Sequence, residues 1–108
     1  MPLVRAKATI KPILEVLSDG EIHPDEEIQE AVAKKLRLTP QDRALLMKNG
    51  TPFYKNRTAW GLVYIQDTTY LPDTQPWGKE MSGGSSNETY MITTAGLKAL
   101  SDGLADDL

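Results

Sequence analysis

Within residues 51–71, TPFYKNRTAWGLVYIQDTTYL, two cations and two hydrogen-bonding side chains follow one another closely: Lys55, Arg57, Thr58 and Gln66. A cation near a helix start can meet an anion together with the backbone N–H groups there. Hydroxyl and amide side chains on the same rod can pair with polar edges in a groove. Arg43, Lys48 and Lys79 add positive charge on either side of this stretch. Other chemistries have a weaker footing. Cysteine is absent, so neither a disulfide nor a thiolate metal site can form. His23 is the sole histidine and lacks a ligand cluster, so it reads as a cap or core group. No serine sits in a nucleophile elbow. SGGSS lacks the lysine and the strand–helix setting of a phosphate loop and reads as a flexible connection. The acids of DEEIQE crowd a helix start, where the helix dipole accounts for them.

Length and composition set the frame for these residues. A chain of 108 residues, 40% hydrophobic and 25% charged, builds one small core. No apolar run approaches the roughly 18 residues of a membrane span, and the basic N-terminal residues lack the apolar segment of a secretory signal. The expectation is a soluble cytoplasmic protein. The net charge of −3 equals the contribution of Asp102, Asp106 and Asp107 near the C-terminus. Between Lys34 and Arg57 seven basic residues face one acid, whereas Glu15 to Glu30 holds seven acids and no base. Such separated blocks can give a basic face and an acidic back.

The elements follow from periodicity and caps. Ile10, Ile13, Leu14 and Leu17 recur at helical spacing before the Asp19-Gly20 stop, with Pro12 in the first turn. A second helix begins near HPDEEI and turns Ile28, Ala31, Val32 and Leu36 inward. Thr39, Pro40 and Asp42 start a short third helix, anchored by Leu45 and Leu46 and broken by NGTP. A fourth runs from about Tyr54 to Asp67. TTYL and TYMIT read as two strands, joined by a long loop over 72–88 that looks mobile in its middle. Trp77 within that loop either packs on the domain edge or inserts beside a groove. TAGLKALSDGL, capped by Thr93 or Thr94, closes the domain over residues 1–100, and 101–108 reads as an acidic flexible tail. The expected fold is mainly α with a small antiparallel β wing, a winged helix-turn-helix.

On the fourth helix, about 100° per residue places Trp60, Tyr64, Arg57, Gly61 and Ile65 on one side. Taking Trp60 as its centre, this side is the core stripe, with the aromatic pair packing rather than stacking on bases. Lys55, Thr58, Ala59, Leu62 and Gln66 then face outward. Arg57 is open to two uses, a clamp on a carboxylate of the second helix or a bend toward a phosphate. Leu62 and Val63 on the outer face suit a protein-interaction surface.

KPILEVLSDGEIH, LRLTPQDRALLMKNG, NRTAWGLVYI and YMITTAGLKAL, in this order and spacing, resemble the N-terminal winged-helix domain of Mrr-like restriction systems. The likeness spans roughly Thr9 to Leu100. It implies a module that binds double-stranded DNA, while a separate PD-(D/E)xK-type domain cuts it. No lysine here follows an acid by two positions, so the cutting element is not in this chain. The expectation is therefore a non-catalytic, cofactor-free DNA-binding module using Lys55, Arg57, Thr58, Gln66, Arg43, Lys48 and Lys79. The alternative is a protein-interaction or dimerisation module using Leu62 and Val63. A homodimer and a separate nuclease subunit are the further partners these readings imply.

Overall fold

The computed structural model describes residues 5–72, 74–81 and 88–107. A 3-10 turn, Ala6–Thr9, leads into α1, Ile10–Leu17, whose Ile10, Ile13, Leu14 and Leu17 are all fully buried. The expected stop holds: Gly20 turns the chain with φ 78°. The strand β1, His23–Pro24, then enters α2, Asp25–Lys35, which buries Ile28, Val32 and Ala33. Asp25, Glu26 and Glu27 stand in its first turn and Lys34 and Lys35 in its last, each group opposing the dipole end it meets. Beyond α2, Arg37 adopts φ 57°, a left-handed conformation. Its N–H donates to the Lys34 carbonyl and that of Leu38 to the Ala33 carbonyl, both at 3.0 Å, closing the helix as a Schellman motif.

The short helix α3, Pro40–Ala44, carries the capping box read from the sequence. Asp42 N–H donates to Thr39 Oγ1 at 3.1 Å and Thr39 N–H to Asp42 Oδ2 at 2.9 Å. Leu45 and Leu46 do not anchor it. They are 41% and 56% exposed, because residues 45–52 fold back on themselves through Met47 N–H to the Thr51 carbonyl and Phe53 N–H to the Leu45 carbonyl. Leu38, Ala33 and Tyr54 fill that corner instead.

Phe53–Gln66 forms α4. After it, TTYL is not a strand. Asp67 accepts from the Thr69 N–H at 3.0 Å and bends Thr68–Tyr70 into a 3-10 turn. The first strand of the hairpin comes from residues expected in the loop, whereas the second lies in TYMIT, as expected. β2 is Gly78–Glu80 and β3 is Thr89–Ile92, so the segment joining them is shorter than 72–88. They pair antiparallel in a sheet of order β1-β3-β2, with His23 opposite Tyr90 and Lys79 opposite Met91. Residues 82–87, where mobility is expected, lie outside the described residues. Trp77 packs rather than projects: it is fully buried, donates its N–H to the Ile65 carbonyl at 2.8 Å and accepts from Thr93 N–H at 3.1 Å.

Thr93 caps α5, Thr94–Ser101. A further turn, Leu104–Asp107, returns to α1 where a flexible acidic tail is expected: Ala105 is buried, and Asp106 meets Lys11 at 2.6 Å. The whole is mainly helical with a small three-stranded antiparallel sheet, consistent with a winged-helix-like arrangement. No helix among the described residues is long and apolar enough to cross a membrane.

Two substitutions test this packing. A Cβ at Gly61 would collide with Thr9 Oγ1 and come within 2.8 Å of Ile13 Cδ1. Gly61→Ala is expected to cost about 1–3 kcal/mol in urea unfolding. Arg37→Gly relieves the left-handed residue and is expected to raise stability by about 0.5–1 kcal/mol in the same assay.

Candidate nucleic-acid interface

The face that α4 turns outward is set by what it buries. Tyr54, Thr58, Gly61, Leu62 and Ile65 form its inner strip. This strip is rotated from the one expected, and the correction concerns four residues. Trp60 is 48% exposed rather than central to the core, and Tyr64 is half-buried. Thr58 is fully buried and donates its hydroxyl to the Tyr54 carbonyl at 2.8 Å, so it cannot reach a base. Leu62 is 2% exposed and belongs to the main core, not to an interaction surface. The physical reason is close approach. Thr58 and Gly61 are small enough for α4 to lie against the N-terminal turn and α1, where Thr9 Oγ1 donates to the carbonyls of Ala6 at 2.6 Å and Arg57 at 3.4 Å. An indole has no place in that seam.

The outward strip consequently runs Lys55, Ala59, Trp60 and Val63, with Val63 43% exposed. Lys55, Lys48 and Lys79 are exposed, and no described carboxylate lies within ion-pair distance of any of them. Lys79 stands on β2 itself rather than in the loop. Gln66 is half-buried and spends its amide on the Leu62 carbonyl at 2.9 Å. Arg43 is engaged: its Nη1 meets both Glu30 carboxylate oxygens at 2.7 and 2.8 Å, and its guanidinium lies 5.8 Å from the Tyr54 ring centre. That contact holds the Glu30 carboxyl below its ordinary value. Arg57 clamps no described carboxylate. It donates to the Asn56 side-chain oxygen and lies over the Phe53 ring at 5.2 Å.

Residues 7–77 match the family described as the Mrr N-terminal domain. The chain belongs to that family. No curated protein and no solved structure matches it. The match covers α1 to α4 and ends at Trp77, so α4 and the residue that locks its C-terminal end fall within the Mrr N-terminal domain, and the β2–β3 hairpin follows it.

Acids of α2 stand near one end of this strip, beyond ion-pair distance of Lys55. Asp25 is raised above its ordinary value by burial first and then by Glu88 and Glu26, with Lys55 opposing. Glu88 accepts from the Tyr90 hydroxyl at 2.7 Å, and burial together with Glu88 raises that phenol strongly. His23 was expected as a cap or core group and is bracketed by carboxylates. Nδ1 lies 2.5 Å from Glu27 Oε1, Nε2 lies 2.9 Å from Asp19 Oδ1, and the side chain is 14% exposed. Among the described residues no three His, Asp or Glu side chains converge as a metal-holding set.

The pH dependence follows from the signs. Hydrogen bonds to Asp19 and Glu27 raise the imidazole above 6.5 against some desolvation, and the His23 contact lowers Asp19 below 3.8. The stability from His23 is complete below pH 6.5 and is lost as pH rises through the raised folded value. The Asp19 part is complete above 3.8 and is lost as pH falls through its lowered value. His23→Gln is expected to lower the thermal midpoint at pH 5.5, with the difference from the native chain shrinking by pH 9.

Proposed function

We propose that the chain is a non-catalytic double-stranded DNA-binding module. It lays α4 in the major groove, with the β2–β3 hairpin beside it as a wing. The observation that carries this reading is the fourteen-residue α4 of an Mrr N-terminal domain, buried on one strip only and bare along the other. Family membership supplies the link to restriction systems, and the sheet order β1-β3-β2 supports the winged-helix geometry. Lys48, Lys55, Lys79 and Arg57 are the phosphate contacts in this reading, since each carries a cation that no described carboxylate neutralises. Arg43 leaves the list because Glu30 matches its charge, Thr58 because it is buried, and Gln66 because it is half-buried with an amide N–H on the Leu62 carbonyl. Cleavage belongs to a separate nuclease domain or subunit, since no lysine of the chain follows an acid by two positions.

Four phosphate contacts correspond to a slope of about −3.6 in log affinity against log salt. Fluorescence anisotropy with a random duplex pool at several salt concentrations is expected to give a value near it. Lys55→Glu and Lys79→Glu are each expected to weaken binding and flatten the slope by about one. Undetectable affinity at low ionic strength would end this reading.

A second reading, self-association, is favoured by the exposure of Trp60 and Val63 on the same helix. Val63→Glu tests it by light scattering without disturbing the core, which Leu62→Glu would.

A further inference from the structure

One flank of α4 holds a small cleft that shares only Arg57 with the phosphate contacts above. Ala6, Arg57, Trp60 and Tyr64 line it around about 260 Å³. The Trp60 and Tyr64 ring centres are 6.2 Å apart, tilted by 45°. Tyr64 continues to Tyr70 at 4.5 Å, and Tyr70 is itself 44% exposed. At the other end stands Arg57, its guanidinium steadied by Asn56 and the Phe53 ring and lacking any described carboxylate partner.

Core packing accounts for Tyr64, which lies against the main core, but not for Trp60. The fold already shows what a structural tryptophan does here, because Trp77 is fully buried and tied into the backbone at both sides. Trp60 instead leaves about half of its indole in water beside an uncompensated cation, a placement that costs apolar exposure unless a ligand covers it. The chemistry of that ligand is constrained. The exposed face of the Trp60 indole favours a planar partner, with Tyr64 tilted against its edge, and a guanidinium at the rim favours an anion. An aliphatic protein surface would desolvate Arg57 without a counter-charge.

We infer that this cleft binds one unpaired nucleotide, with its base stacked on Trp60 against the edge of Tyr64 and its phosphate on Arg57. The inference rests on the DNA reading above and adds a site for a base that has left the duplex stack, at the side of α4 facing the Ala6–Thr9 turn. Bases stack on aromatic side chains irrespective of sequence, so the site recognises the unpaired state rather than a particular base.

Two fluorescein-labelled duplexes identical except for a single extrahelical thymidine separate this site from the groove contacts. In anisotropy titrations at low salt, the native chain is expected to prefer the bulged duplex by about tenfold. Trp60→Ala should abolish the preference and Trp60→Phe should keep most of it, while Arg57→Gln, which removes a cation shared with the groove contacts, should weaken the bulged duplex more than the paired one. Because Trp77 remains in every variant, its near-UV circular dichroism verifies the fold. Equal affinity of the native chain for both duplexes would overturn the inference while leaving the DNA reading standing, and so would a preference that survives Trp60→Ala. Binding to neither would remove both. A mass that grows with concentration and reverts with Trp60→Ala would assign the cleft to a second copy of the chain and overturn the nucleotide site.

Discussion

Burial of Ile65 against Trp77 fixes the direction in which α4 can present side chains. The Ile65 carbonyl accepts the Trp77 N–H, and the side chain fills the space beside Gly78, where a Cβ would come within 3.0 Å of Ile65 Cγ1. One contact therefore ties the end of the long helix to the start of the hairpin. With Thr58 and Gly61 seated on the N-terminal turn and α1, rotation of α4 about its axis would expel the Ile65 side chain from the core. Removing a buried aliphatic side chain from such a core typically costs about 2–5 kcal/mol. The outward strip is thus a consequence of the inner one, and everything proposed for Lys55, Trp60 and Arg57 inherits its orientation from that packing.

Electrostatics then sorts the cations. Seven basic residues between Lys34 and Arg57 suggest a uniformly positive face, yet the fold distributes them unequally. Arg43 is matched by Glu30 across α2 and α3, and Lys35 lies 3.9 Å from Glu15. Lys55 opposes the acids of α2, countering part of the rise at Asp25 and adding to the lowering of Glu30 that Arg43 begins. What a polyanion would meet is therefore a few well-separated positive side chains, not a continuous basic patch. Binding of that kind is positioned by geometry more than by net charge, and it is sensitive to salt.

The ends of the elements were legible from sequence because caps are local chemistry. Thr39 and Asp42, the Gly20 stop and the Thr93 cap each involve residues within a few positions of one another. The phase of α4 was not legible. Apolar residues fall on every side of it, from Tyr54 and Leu62 inside to Trp60 and Val63 outside, so periodicity offers no preferred direction. The largest ring then looks like the natural centre of the core. The small pair Thr58 and Gly61 carried the signal instead, since two small residues three apart mark where another segment comes close. The strand error has a similar source. TTYL has strand-forming residue types, but Asp67 supplies a side-chain acceptor that turns the backbone first. Gly78–Glu80 has little strand propensity and is recruited by its antiparallel pairing with β3 and by Trp77 before it.

The two tryptophans show how one residue type takes opposite roles under one constraint. Trp77 enters the core from the bend just before β2, where its backbone pairs with Ile65 and Thr93 while the indole is buried. Trp60 sits on a helix whose inner strip is already filled by Thr58, Gly61, Leu62 and Ile65, so its side chain goes to the flank beside Arg57 and Tyr64. Nothing in the folding of the domain requires an indole there, since half of it remains in water. An indole half in water, beside a cation that no described carboxylate matches, leaves apolar surface that a ligand could cover.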